Sequence, residues 1–112
     1  MAQVQFLTGV QAGLSADMQI RVALQTILEN GGMAPMPMLY ESVERSMNGG
    51  RLSEQGKASL RKYINTVATR AGLVFPHDPE SPGWRITAKG REFLGAESAP
   101  EEVINVDTDQ AE

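Results

Sequence analysis

The sequence predicts a mainly α domain with one small β-hairpin, an α+β arrangement. Three observations predict it. Three stretches between residues 16 and 71 repeat apolar side chains at helical spacing. A short apolar run, Leu73-Val74-Phe75, and an alternating one, Trp84-Arg85-Ile86-Thr87, flank a loop rich in Pro. A last helical stretch follows Thr87, with Phe93 and Leu94 as its inward residues. The 112 residues amount to one domain, and 41% apolar side chains give it enough material for a core without staples. The chain divides into an N-terminal arm over 1–14, a folded domain over 15–95 and an acidic tail over 96–112 whose composition predicts disorder.

The arm fits two patterns at once. Phe6, Leu7, Val10 and Leu14 form a helical stripe weakened by Gly9 and Gly13, while Val4 and Phe6 alternate as in a strand. It is expected to pack on the domain or on a second copy.

The first helix runs from about Ala16 to Asn30. Ser15 is placed to cap it, Asp17 suits the positive end of its dipole, and Ile20, Leu24, Ile27 and Leu28 share one face. Gly31-Gly32 ends it. Met33–Met38 reads as a connector, because Pro35 and Pro37 bias their predecessors towards extended backbone. The second helix then spans Met38 to Met47 on a Leu39, Val43, Met47 stripe, closed by Asn48-Gly49-Gly50.

The third helix, 53–71, starts at a Ser53 cap with Glu54 in its first turn and ends at Gly72. At 100° per residue Leu60, Tyr63, Ile64, Val67 and Ala71 gather on one side as its core face. The other side carries Gln55, Ala58, Arg61, Lys62, Asn65, Thr66 and Thr69, and no acid occurs between Glu54 and Asp78. Thr87 is placed to cap the fourth helix.

Charge is segregated. The net charge is −4, yet residues 51–91 hold eight bases against three acids, a net +5. Residues 96–112 hold six carboxylates and no base. A basic block followed by an acidic tail points to a polyanionic partner whose access is regulated.

Several chemistries find no support. With no Cys there are no disulfides, thiolate metal sites or thiol catalysis. The lone His77 lies in a Pro-rich loop, where a solvent-exposed residue is expected rather than a base or metal ligand. The paired glycines lack the Lys-Ser/Thr of a phosphate-binding loop. Met18, Met33, Met36, Met38 and Met47 are read as core filling, and Trp84 as a residue packed against the third helix. No catalytic residues, cofactor or metal are expected. No apolar run approaches a membrane span and the N-terminus lacks the basic start and apolar block of a signal peptide, which fits a cytoplasmic protein, nucleoid-associated if it binds DNA.

Three helices, a hairpin and a capping helix form the order of a winged helix-turn-helix. Residues Gly83-Trp84-Arg85-Ile86-Thr87-Ala88-Lys89-Gly90-Arg91-Glu92-Phe93-Leu94 resemble the final strand and cap of many prokaryotic winged-helix proteins. They are most similar to the N-terminal domain of Mrr-type restriction endonucleases, where a helix ending like Ala71-Gly72-Leu73 also precedes them. The resemblance implies double-stranded DNA as partner beside a separate nuclease domain. Nothing of nuclease length follows Leu94, so only the fold and the DNA-facing helix carry over.

The expected DNA contacts are Arg51, Lys57, Arg61, Lys62, Asn65, Thr66, Thr69 and Arg70, with Arg85, Lys89 and Arg91 flanking the wing. Asp78 and Glu80 oppose a wing-tip contact. The expected function is a small non-enzymatic regulator, or an accessory protein of a phage or mobile element. The alternative is a protein–protein adaptor whose basic face meets an acidic partner. A homodimer on paired half-sites and a protein partner for the tail, through Val103, Ile104 and Val106, both stay open.

Overall fold

The computed structural model describes residues 5–47 and 50–98, of which 96–98 as backbone. Helix α1 is Ala16–Glu29. Extended Ser15 begins it, its hydroxyl accepting the Met18 N–H at 3.1 Å. Ile20, Ala23, Leu24 and Ile27 enter the core, while Leu28 is only half-buried. Gly32 N–H bonds the Ile27 carbonyl at 2.9 Å and Gly31 N–H that of Leu28 at 3.2 Å. This double closure needs a left-handed residue after the cap, supplied by Gly31 at φ +86°. Buried Gln19 ties the preceding turn to α1 by donating from Nε2 to the Leu14 carbonyl at 3.0 Å.

The expected connector is structured. Met33–Ala34 forms strand β2, and helix α2 occupies Met36–Arg45, two residues earlier than its stripe implied. Pro37 falls in the first turn, where its missing N–H has no intrahelical partner to lose and its fixed φ suits the helix. Leu39, Val43 and Met47 are buried as expected.

Gly50 opens a strand rather than closing a helix. β1 (Gln5–Leu7) and β3 (Gly50–Leu52) pair in parallel, with Leu7 opposite Leu52. Of the alternatives for the arm, the strand is therefore the one adopted, and it pairs within the chain; Phe6 and Val10 stay exposed. Ser53 N–H then bonds the Leu7 carbonyl at 2.8 Å.

Helix α3, Glu54–Lys62, starts at Ser53, whose hydroxyl accepts the Gly56 N–H at 3.0 Å. It continues without a break as a π-helical segment, Tyr63–Ala68. The i→i+5 bonding of that segment takes in an extra residue per turn, so the inward face drifts from the one extrapolated at 100° per residue. Leu60 and Ile64 are buried as expected, but Ala68 replaces Val67 in the core; Val67 is 48% exposed, Ala71 is exposed and Tyr63 is half-buried. The helix ends at Gly72, as read from the sequence, with Leu73 N–H on the Ala68 carbonyl and Gly72 N–H on that of Thr69.

The expected hairpin has a third member. Trp84–Arg85 forms β4, antiparallel to β2, with Ala34 opposite Trp84. Val74 faces Ile86 in a single bridge on the other side. A Cβ at Gly83 would lie 2.4 Å from the Ala34 carbonyl, so only glycine allows the loop to return this closely beside β2.

Helix α4 is Ala88–Ser98. The Thr87 hydroxyl accepts the Gly90 N–H at 2.9 Å and donates to the Gly72 carbonyl, which pins the cap of α4 to the end of α3. Leu94 enters the core, and Phe93 lies under the Arg21 guanidinium at 4.4 Å. The helix passes the expected boundary at residue 95; of the tail, 99–112 lie outside the described residues. The described residues form a mainly helical α+β domain of four helices with small sheets, built on one core from α1, α2, α3, Trp84, Ile86 and Leu94. Among the described residues no helix is long and apolar enough to cross a membrane.

Candidate nucleic-acid interface

Helix α3 has one side in the core and the other open to solvent, because Leu60, Ile64 and Ala68 must be buried together. Arg61, Lys62, Asn65 and Thr66 are thereby turned outward. These four line one groove of about 510 Å³, completed by Met36 at the start of α2, His77 of the loop and Trp84 of β4. Among the described residues no acidic side chain lines it. Asp78 and Glu80 lie elsewhere on the loop, where the Asp78 carboxylate accepts the Glu80 N–H at 3.0 Å.

The cations along α3 are differently held. Arg61 Nη1 donates to the Tyr40 hydroxyl at 2.6 Å, which fixes the guanidinium between α2 and α3. Lys57 Nζ stands 5.4 Å from the centroid of the same ring, within cation–π range, and 3.9 Å from the Glu54 carboxylate. The ion pair is exposed on the glutamate side and contributes little. Tyr40 is thus an anchor for two of the expected contact residues. The sequence pattern did not single it out, since only α2–α3 packing brings it beside Arg61.

Other expected contacts lie elsewhere. Arg51 borders a depression shared with Arg45, Glu41 and Glu44, where acids offset the bases. The Thr69 hydroxyl donates to the Ile64 carbonyl at 2.9 Å, so it serves the π turn. Arg70 is exposed beyond the π segment and does not line the groove. The Arg85 guanidinium stacks 4.6 Å over the Phe75 ring. Lys89 lies beside Gly72 and Arg91 beside Gly32, at the ends of α3 and α1. Of eleven residues expected from sequence, the groove gathers four, and it adds His77, Trp84 and Met36.

Trp84 is 7% exposed and belongs to the core, so it supports the groove from below. The His77 ring rests on it with centroids 5.3 Å apart, tilted by 55°. Two cations, an amide and a hydroxyl on one helical face can donate to phosphate oxygens and to base edges. Among the described residues no group of three or more His, Asp or Glu side chains could hold a metal ion.

Comparison with protein-family models, with characterised proteins and with solved structures finds no match to this chain.

Proposed function

We propose that the protein is a small, non-enzymatic DNA-binding domain of the winged helix-turn-helix type, with α3 and its π segment as recognition helix. The observation that carries this reading is the acid-free groove. Arg61, Lys62, Asn65 and Thr66 line it together, on a helix whose opposite side is locked in the core. The order of elements supports the fold assignment: a short strand between α1 and α2 pairs with the strand that returns from the loop after α3. The resemblance of residues 83–94 to the Mrr-type N-terminal domain points the same way.

In this reading Arg61 and Lys62 hold the phosphate backbone, while Asn65 and Thr66 reach base edges. Binding must then weaken linearly on a log–log scale with salt, because each neutralised phosphate releases counterions. Two contacts correspond to a slope of about −1.8, and each further cation on the duplex adds about −0.9. Fluorescence anisotropy with a labelled duplex at several salt concentrations measures this. Salt-dependent binding with a slope of about −1.8 or steeper is expected. No binding at low salt would overturn the reading. Asn65→Ala is expected to flatten differences in affinity between duplex sequences while leaving the salt slope in place.

A further inference from the structure

The groove has two walls of different kinds. The α3 wall carries the permanent charges of Arg61 and Lys62, while the loop wall carries His77, the only histidine of the chain. His77 is exposed but not unsupported, since its ring packs on Trp84, which the core and the pairing with Ala34 hold in place. It follows Pro76 and lies two residues after Phe75, whose backbone N–H is bonded to the Arg85 carbonyl at 3.0 Å. The imidazole is therefore presented to the groove from a supported position.

We propose that His77 is a phosphate-contact residue that closes the groove over a phosphodiester strand when it is protonated, which makes nucleic-acid binding pH-dependent. The proposal rests on the DNA-binding reading and adds a residue and a regulation to it. An imidazole is the side chain that gains charge as pH falls from 8 towards 5, and the imidazolium has two donors for phosphate oxygens. The surrounding charges define what it meets. Arg61 and Lys62 line the same groove. A phosphate held there can accept from all three side chains when the imidazole is charged. On its own loop lie Asp78, whose carboxylate is turned to the Glu80 N–H, and Glu80. Arg85 of β4 is stacked on Phe75, and the remaining lining residues Met36, Asn65, Thr66 and Trp84 carry no charge. The imidazolium donates to a phosphate from both ring nitrogens where the neutral ring donates from one, so affinity rises as pH falls.

Duplex affinity is measured at fixed salt from pH 8 to pH 5.5 for the wild type, His77→Gln and His77→Lys, with a melting curve for each. The wild type is expected to tighten about ten-fold on acidification, the order of one charge-assisted contact. His77→Gln should hold its pH 8 affinity to within about two-fold over the range. His77→Lys, which keeps a charge, should bind at pH 8 as the wild type does at pH 5.5. If His77→Gln melts normally and tightens as much as the wild type, the role of His77 is overturned and the DNA-binding reading stands. If no variant binds duplex DNA at any pH, both are overturned.

Discussion

Trp84→Ala probes the link between core and groove. The indole is 7% exposed and packs in the cluster with Ile64, Val74 and Ile86. A tryptophan buries about 150–250 Å², which at about 25 cal/mol/Å² is worth about 4–6 kcal/mol. Alanine keeps a small part of that contact, so the loss should be about 3–5 kcal/mol, the usual range for a deleted core aromatic. The backbone ladder to Ala34 is untouched by the change, and relaxation of the loop onto the vacated space reduces the cost. For a domain of this size each kcal/mol lowers Tm by about 4–8 °C, so a fall of at least about 12 °C is expected in calorimetry or far-UV circular dichroism. Trp84→Phe keeps a ring for His77 to rest on and should lose less than half as much. A Tm unchanged by Trp84→Ala, with DNA binding abolished, would rule out a structural role and make the indole a contact residue.

Three other outcomes follow from particular contacts. A Cβ at Gly90 would lie 2.2 Å from the Leu73 carbonyl oxygen, a backbone atom, so Gly90→Ala should cost at least about 1–3 kcal/mol in urea unfolding. Ser53→Ala removes the acceptor for the Gly56 N–H and should cost about 0.5–2 kcal/mol, read from the urea midpoint. Residues 99–112 carry five carboxylates and no base, so truncation after Ser98 should tighten duplex binding at low salt, with the difference shrinking at high salt; equal low-salt affinities would leave the tail without an inhibitory role.

Much of the helical frame was legible because its signals are local. Ser15 and Ser53 cap α1 and α3 as read, and Gly31 and Gly72 stand where left-handed closures follow those helices. What was not legible depends on partners far away in the chain. Met33–Ala34 becomes a strand only because Trp84–Arg85 comes to lie beside it. Gly50–Leu52 becomes one only because the N-terminal Gln5–Leu7 pairs with it. Neither has enough residues to show an alternating pattern. The start of α2 was set too late by treating Pro37 as a barrier, although a first turn accepts proline. The error in α3 was one of phase: a fixed 100° step placed Val67 inside, and the π turn brought Ala68 there instead. The same turn employs the Thr69 hydroxyl as a donor to the Ile64 carbonyl.

The centre of the outward stripe kept its side of the helix despite the phase error. Arg61 and Lys62 precede the π segment, and Asn65 and Thr66 sit early enough in it to remain on the groove side. The flanking bases did not join them, because Arg51, Lys89 and Arg91 belong to other elements whose positions are set by sheet pairing and by the packing of α4 on α1.

The central claim is that the cationic side of the groove grips duplex DNA through its phosphates. The most direct test is the salt dependence of duplex affinity for Arg61→Ala/Lys62→Ala beside the wild type, on two unrelated sequences, with melting curves to show that both proteins are folded. Weaker binding on both sequences is expected, with a slope shallower by about 1.8, about 0.9 for each lost phosphate contact. A folded double variant with wild-type affinity and an unchanged slope would contradict it.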